Sequence, residues 1–534
     1  MNTTAKPARR RTARLAAGAS IGFVATAAGL GAGELVAAAT GPDTSPVVAV
    51  GSGVIALTPR VLQEFAVSTF GSGHRPILVA GVVTILAVAA AAAGYIALRR
   101  LAAGAALLLA LAGIGMAAAA ATAQSGATAA LPASAAAVIS VATLAALTRL
   151  TRPRPRAGAE AVNTAQQDGS SAAGADNPLP RRTLLLAGAG TAGAAVAAGL
   201  GGRMLQARLF DVADSRAAIA LPEPASPAPA LPAGHRFAVD GLGPFFTPAR
   251  DFYRVDTALV IPQVPAQQWS LRIGGSVDRP LEITFEELLE RELVERDLTL
   301  SCVSNQVGGP YVSTGRWLGF PLDRLLREAG PHGGADQLLS RSQDGMTIGT
   351  PLGTVLDGRD ALLAVGLNGE PLPARNGFPA RMIVPGLYGY TSATKWVVEL
   401  DVTRFDEVDA YWTERDWDPV GTVKTASRID VPRPLENLGQ GEITVAGVAW
   451  AQHRGISTVQ VRVDGGDWQD AELSEPVSDD TWRQWLTTVQ VTPGSPRIEV
   501  RAADGAGDLQ PQERVDPFPD GATGWHSVAV TVTE

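Results

Sequence analysis

The pattern of apolar and polar positions changes near residue 205: long unbroken apolar blocks give way to short apolar groups set between Gly, Pro, Asp and Asn. Five of the early blocks reach the roughly 20 residues that a helix needs to cross a bilayer. They are Leu15 to Ala39, Ile77 to Leu98, Leu101 to Ala121, Leu131 to Leu147 and Thr183 to Gly201. A sixth, Val47 to Leu57, is too short to span and reads as an interfacial or re-entrant excursion.

Arginine placement sets the expected orientation, because cytoplasmic loops collect basic residues. Arg9, Arg10, Arg11 and Arg14 precede the first block, and Arg99 and Arg100 lie between the second and third. Arg149, Arg152, Arg154 and Arg156 follow the fourth, and Arg181 and Arg182 precede the fifth. Crossings that start from an inward amino terminus put all these clusters in the cytoplasm, only Arg60 and Arg75 in outer loops, and everything after Gly202 outside. Glu34 falls near the outer end of the first block, where a solvated position is expected. Its charge, and the lack of a clean cleavage site, argue against a cleaved signal peptide. The one histidine of this half, His74, is expected in a loop, so paired intramembrane haem ligands are missing and no haem is expected.

Between the fourth and fifth blocks, Pro153 to Pro180 is rich in Ala, Gly, Ser, Asn and Asp and reads as a flexible cytoplasmic linker. It ends in Pro180-Arg-Arg-Thr-Leu-Leu-Leu186, which reads either as a twin-arginine export signal or as ordinary positive-inside flanking.

In the second half, the Pro/Ala-rich run Ala217 to Ala233 predicts an extended spacer from the membrane. Trp269 to Gly274 predicts a strand, and Thr284-Phe-Glu-Glu287 a capping box that opens a helix running to about Arg296. The apolar run Leu298 to Ser301 then predicts a strand delivering Cys302 into a glycine-rich loop that ends at Gly309. Pro321 starts a second helix ending near Gly330, and Arg341-Ser-Gln-Asp-Gly345 makes a turn between strands. A long Gly/Pro-punctuated loop from Asn368 to Arg381 leads to a second loop, Pro385 to Trp396. From about Gly439 short alternating strands, with a hairpin turn at Asp464-Gly-Gly-Asp467, predict a β-sandwich of immunoglobulin type. The expected organisation is four spans over 1–150 and a linker with the fifth span over 151–205. A spacer follows over 206–236, then an α+β domain over 237–432 and the sandwich over 433–534.

The net charge of −8 arises in the second half, while the basic residues of the first half flank apolar blocks. Membrane lipid is therefore an expected partner and nucleic acid is not. Cys302 is the only cysteine, which rules out a disulfide within the chain and a zinc or iron–sulfur site built on cysteine alone. Composition leaves it open between a small core residue and a thiolate ligand. Arg316, Arg341, Arg375, Arg381 and Lys395 stand in neighbouring motifs among glycine-rich loops, a combination that suits an anionic group. His235, His332, His453 and His526 stand in unrelated contexts, and neither a P-loop nor a dinucleotide fingerprint is present. The residues themselves thus point to an anion- or cofactor-binding α+β domain with one candidate thiolate.

The ordered motifs SCVSN, GRWLGFPL, RSQDG, NGEPLP, GFPAR, VPGLYGY and SATKW resemble the molybdopterin-dependent sulfite oxidase family, especially its membrane-anchored actinobacterial type. The following GVAW, RVDGGDW and RAADGAGDLQP resemble that family's C-terminal immunoglobulin-like dimerisation domain, so the likeness runs from about Phe245 to Glu534. The resemblance implies one molybdopterin in the 237–432 domain, molybdenum ligated by Cys302, and a homodimer through the sandwich. Cationic neighbours would lower the pKa of that thiol. Phe252, Tyr253 and Arg254 match a cofactor strip, and Asp344, Asn376, Arg381, Ser392, Ala393, Thr394 and Lys395 match positions that hold the pterin or its phosphate. Arg316 matches an arginine that binds the anionic substrate, and Tyr411 a residue near the substrate pocket. Two positions depart from the family: Ala249 stands where many members have asparagine, and Asn376 where sulfite oxidases have histidine.

The expected function is oxygen-atom transfer by an extracytoplasmic, membrane-anchored molybdenum enzyme, sulfite-oxidase-like in direction, with electrons passing to a separate acceptor. One alternative is a reductase of S- or N-oxides. Another, of a different class, is a cofactor-free binding module.

Overall fold

The chain is described from a computed structural model over residues 5–59, 62, 74–121, 126–151 and 181–534. It divides into two units, one comprising Met1–Asp211 with Thr257–Val260, the other Val212–Asp256 with Ile261–Glu534.

In the first unit the apolar blocks fold as helices α1 (Ala5–Thr40), α2 (Pro46–Leu57), α3 (His74–Ala97), α4 (Leu101–Ala121), α5 (Leu131–Leu150) and α6 (Arg181–Leu209). Among the described residues, five helices are long and apolar enough to cross a membrane, and they coincide with the five blocks. The sixth block, α2, is helical but too short to span. His74, expected in a loop, is instead the first residue of α3. The linker Pro153–Pro180, with Arg60, Arg152, Arg154 and Arg156, lies outside the described residues.

Helix α1 packs against α3, α5 and α6. Gly22 lies so close to the backbone of Ala90 and Gly94 on α3 that a β-carbon would overlap it, and Gly202 on α6 meets the backbone at Glu34 in the same way. Small residues let helix backbones approach where lipid removes the hydrophobic drive for association. Glu34 is not solvated as expected: it is 5% exposed. Its carboxylate accepts from the Ser45 hydroxyl at 2.7 Å and the Gln206 amide at 3.0 Å, with Arg203 at 3.9 Å. Two of these partners come from α6, so only the folded bundle reveals them.

In the second unit the strands are β1 (Ser270–Gly275), β2 (Leu281–Thr284), β3 (Val294–Ser301), β4 (Val312–Pro321), β5 (Gln337–Ser342), β6 (Thr347–Pro351) and β7 (Leu362–Leu367), followed by β8 (Glu370–Pro371), β9 (Arg381–Ile383) and β10 (Val397–Thr403). One five-stranded sheet has the order β2-β1-β10-β5-β6. The other has the order β3-β4-β7-β8, with β9 also pairing on β7. They share a core that includes Trp269, Leu288, Trp317, Leu363 and Met382. The mixed architecture matches the expected α+β class.

The capping box at Thr284 forms as expected: the Glu287 carboxylate accepts from the Thr284 N–H at 2.7 Å and the Thr284 hydroxyl accepts from the Glu287 N–H at 3.3 Å. The helix it opens ends at Leu289 rather than near Arg296, because β3 begins at Val294 and pairs along its whole length with β4. Tertiary pairing overrides the helix propensity of the Glu/Arg/Leu run. The helix Leu322–Ala329 follows Pro321 and stops at Gly330, whose φ of 73° ends it.

The Pro/Ala-rich segment is not a free spacer. Ala225 N–H donates to Leu293 O at 2.8 Å and Glu295 N–H to Ser226 O at 2.9 Å, so it is stitched to the edge of β3. Beyond β10 come β11 (Ala426–Val431), β12 (Asn437–Gly439), β13 (Gly441–Trp450), β14 (Ile456–Val463), β15 (Gln469–Asp470), β16 (Glu472–Leu473), β17 (Arg483–Val491), β18 (Arg497–Asp504), β19 (His526–Ala529) and β20 (Thr531–Thr533). Two four-stranded sheets, β11-β13-β17-β16 and β15-β14-β18-β19, face a shared core of Val445, Val459, Trp485, Ile498 and Val500. That β-rich region starts with β11 at Ala426, before the expected boundary at 433, since β11 pairs with β13.

Candidate active site

Strand β3 ends at Ser301, and Cys302 opens the loop that returns to β4. Cys302 N–H donates to Tyr311 O at 2.9 Å, Asn305 N–H donates to Cys302 O at 3.1 Å, and Tyr311 N–H donates to the Asn305 side-chain oxygen at 2.9 Å. The loop is thus tied to itself, with Cys302 8% exposed. Burial raises the pKa of the free thiol, and the Ser304 N–H and hydroxyl and the Lys395 charge offset this only in part. The lowering expected from cationic neighbours is therefore reversed by desolvation.

Phe252 stacks on Tyr253 at 5.8 Å between centroids and meets Trp317 edge-on at 5.4 Å. Burial drives the Tyr253 phenol well above its ordinary pKa, Cys302 adding to the rise and Arg381 opposing it, so these three groups share one electrostatic neighbourhood. Arg381 donates to Asn376 O at 3.1 Å and Ala393 O at 3.2 Å, and its guanidinium lies 5.3 Å from the Trp317 ring centroid. Desolvation pulls its pKa down to about 10. The Lys395 ammonium donates to Asp256 at 2.6 Å and Val255 O at 3.1 Å. Burial outweighs that carboxylate and lowers the lysine to about 8. Arg254 pairs with the same Asp256 at 2.7 Å.

The expected residues divide. Phe252, Tyr253, Arg254, Cys302, Asn376, Arg381, Ala393 and Lys395 form one connected neighbourhood. The hydroxyls of Ser392 and Thr394 are used within the fold, Ser392 donating to Tyr388 O at 2.9 Å and Thr394 bonding Ser340 at 2.6 Å. Asp344 sits in the β5–β6 turn, accepting from Met346 N–H at 3.4 Å, and Gln343 N–H donates to Trp396 O at 2.8 Å, which holds that turn beside Lys395. The contacts described for Tyr411 run to Thr347, Trp412 and an Arg415 guanidinium 3.7 Å from its ring centroid.

Arg316 has a carboxylate partner of its own. It lies directly opposite Asp297 across β3 and β4 and grips it with two hydrogen bonds of 2.8 Å, with Glu295 at 3.8 Å. It lies four steps along β4 from Val312, the end beside Cys302, about 13 Å at the usual rise. Its charge is spent on this pair rather than offered at the thiol. Arg341 is likewise paired, with Glu399 at 2.7 Å.

Sequence reasoning missed Asp256, which joins Arg254 to Lys395, and three residues of the β-sandwich that reach the Cys302 region: Gln452, Arg428 and His526. No spacing signal exists for these, because more than a hundred residues separate them from Cys302.

Three buried polar atoms in the stretch from Arg375 to Arg381 lack a hydrogen-bond partner among the described residues: Arg375 Nε, Asn376 Oδ1 and Arg381 Nε. An unsatisfied buried donor or acceptor costs about 1–3 kcal/mol. Two buried donors and one buried acceptor call for a group carrying both anionic oxygens and N–H donors. A phosphate-bearing pterin has that chemistry, and the residues present fit it.

Residues 258–412 match the family described as the oxidoreductase molybdopterin binding domain. The chain is 31% identical over 316 residues to the sulfite oxidase of Gallus gallus, covering 50% of this chain and 68% of that protein. It is 28% identical over 337 residues to a nitrate reductase of Hordeum vulgare, covering 51% of this chain and 37% of that protein. Among solved structures, the sulfane dehydrogenase SoxCD of Paracoccus pantotrophus aligns with 23% identity and a TM-score of 0.48, covering 55% of this chain and 82% of that one. The chain spans between 59% and 68% of the length of the first sulfite oxidases it matches. With residues 258–412 matching the molybdopterin binding domain, and 31% identity to a sulfite oxidase covered over 68% of its length, this chain belongs to the sulfite oxidase family of molybdopterin-dependent oxidoreductases.

Proposed function

We propose that this protein is a membrane-anchored, extracytoplasmic oxidoreductase that transfers oxygen atoms, with Cys302 as the protein ligand of its molybdenum. The observation that carries this is the run of buried polar atoms without a partner among the described residues, Arg375 Nε, Asn376 Oδ1 and Arg381 Nε, in the domain that also buries the Cys302 thiol. When bound, molybdopterin supplies a metal that exchanges an oxygen atom and two electrons with substrate. The chain's residues do the rest. Arg381 and Arg375 offer N–H donors to anionic oxygens, Asn376 offers an acceptor, and Lys395 adds a charge held in place by Asp256. Phe252 and Trp317 pack behind Arg381 and keep water from its buried guanidinium. A soft thiolate suits this metal, and metal binding supplies the drive to deprotonate a thiol that burial otherwise keeps neutral.

The favoured direction is sulfite-oxidase-like, with electrons leaving to a separate acceptor. Asn376 supports a second reading, reduction of an S- or N-oxide: an asparagine side chain stands where sulfite oxidases have histidine, and its Oδ1 is an unsatisfied acceptor rather than a cation. The substrate would be a small anion in the first case and a neutral or anionic oxide in the second. Turnover of sulfite with an artificial electron acceptor is the expected result; turnover of methionine sulfoxide with a reductant, and none of sulfite, would establish the reductive reading.

The arginine clusters support an inward amino terminus and an outward catalytic domain, and Arg181-Arg182 at the start of α6 supports export by the twin-arginine route. The resemblance of the sandwich motifs supports a homodimer.

A further inference from the structure

The strand and loop that carry Cys302 are fastened from outside the molybdopterin domain. Gln452, in the turn after β13, is 1% exposed, and its amide donates to Ser301 Oγ at 3.1 Å and to Thr299 O at 3.3 Å. Thr299 N–H donates to Asp480 O at 2.9 Å, and Trp482 N–H donates to Thr299 Oγ1 at 2.8 Å. On the far side of the loop, Arg428 of β11, held by Asp430 at 2.6 Å, donates to Gly309 O at 2.9 Å. The His526 imidazole of β19 fills the space where a β-carbon on Gly308 would stand. The sandwich thus grips the polypeptide on both sides of Cys302, while the molybdopterin domain supplies the contacts within the loop.

Gln452 is held at a cost. Its side-chain oxygen is buried without a hydrogen-bond partner among the described residues. Leucine is one bond shorter but of similar bulk and would remove that unsatisfied acceptor, so burial alone does not call for an amide here. What leucine would lose is the pair of donors to Ser301 and Thr299, the residues that lead into Cys302.

We propose that Gln452 is a positioning residue for the Cys302 sulfur, acting through Ser301 from the β-sandwich, with Arg428 and His526 bracing the other end of the same loop. This rests on the reading of Cys302 as the metal ligand, but it is a statement about the thiol itself. The sandwich then forms part of the structural support of the metal site.

The test uses the full chain in detergent, cofactor-free and loaded, and compares wild type with Gln452→Leu, Ser301→Ala, the double variant, and Gln484→Leu. Gln484 is an equally buried sandwich glutamine whose side chain instead bonds Phe237 N–H and Gly243 O. In cofactor-free protein the rate at which iodoacetamide alkylates Cys302 reports local opening around the sulfur. Losing two hydrogen bonds, each contributing about 1 kcal/mol, predicts a rise of roughly tenfold or more in Gln452→Leu, with a smaller rise in Ser301→Ala. The double variant should gain little beyond Gln452→Leu, and Gln484→Leu should match wild type. In loaded protein, the Mo(V) resonance signal of Gln452→Leu should shift, while that of Gln484→Leu should not. Wild-type alkylation in Gln452→Leu, or an equal rise in Gln484→Leu, overturns the positioning role whatever the metal content. Wild-type protein without molybdenum would defeat the ligand reading alone, and alkylation would still decide whether Gln452 positions the thiol.

Discussion

Arg316 and Asp297 face each other across neighbouring strands and are joined by two hydrogen bonds of 2.8 Å, with the Asp297 side chain 4% exposed. The pair anchors the middle of the β3–β4 ladder whose end carries Cys302. Asp297→Ala should lower stability by about 2–3 kcal/mol, since it strips both short hydrogen bonds from the partly buried guanidinium and leaves only Glu295 at 3.8 Å. The loaded variant should keep its molybdenum and its KM for the anionic substrate. Unfolding in denaturant and steady-state kinetics check both parts; a large rise in KM for Arg316→Lys at unchanged stability would return Arg316 to the substrate pocket.

His526 predicts a pH dependence. Its Nδ1 accepts from Ile429 N–H at 3.0 Å, and burial, with Arg428 and Arg514 adding to it, lowers its pKa to about 4. Above roughly pH 6.5, the ordinary histidine value, neither folded nor unfolded chain binds the proton and His526 adds no slope. As pH falls from there toward 4, the unfolded chain takes up a proton that the folded one refuses. Stability should then fall by up to about 1.4 kcal/mol per unit. His526→Gln should flatten the stability curve between those pH values, and curves of equal slope would remove the histidine from the account.

Much of this fold was legible in the sequence because its signals are local. Apolar blocks announce their own helices, Thr284 and Glu287 cap through residues three apart, and Asp464 to Asp467 turn the chain between β14 and β15. The failures share a cause: the deciding partner lies far along the chain. Glu34 looks solvated until α6 brings Gln206 to it. The Glu/Arg/Leu run before Cys302 looks helical until β4 pairs with its last three residues, Val294 to Arg296. The Ala217 to Ala233 segment looks like a tether until β3 offers it a hydrogen-bonding edge. At the site, Arg381, Asn376 and Lys395 could be singled out because they stand in recognisable Gly/Pro-punctuated loop motifs. The pairing of Arg316 with Asp297 was not legible, because no motif names a register partner.

Export makes a separate prediction. If Arg181 and Arg182 are read by the twin-arginine route, replacing both with lysine keeps the charge and should strand the second unit in the cytoplasm. Protease added to intact cells should then fail to cut it. Normal surface cleavage of the Lys-Lys variant would show that the pair serves only as positive-inside flanking.

The homodimer reading predicts that the detergent-solubilised protein has twice the mass of one chain by light scattering, and that deleting 426–534 abolishes the dimer. A monomer at micromolar concentration would remove the sandwich as a self-association surface.

The most direct test is the molybdenum and pterin content of the intact protein, made in a host that synthesises the cofactor, measured beside Cys302→Ser. The wild type should carry stoichiometric metal and pterin, while Cys302→Ser, folded to the same thermal midpoint, should lose turnover and hold its metal weakly or not at all. Well-folded wild-type protein without molybdenum, or wild-type turnover by Cys302→Ser, would contradict the assignment of this thiol as the ligand at the centre of the site.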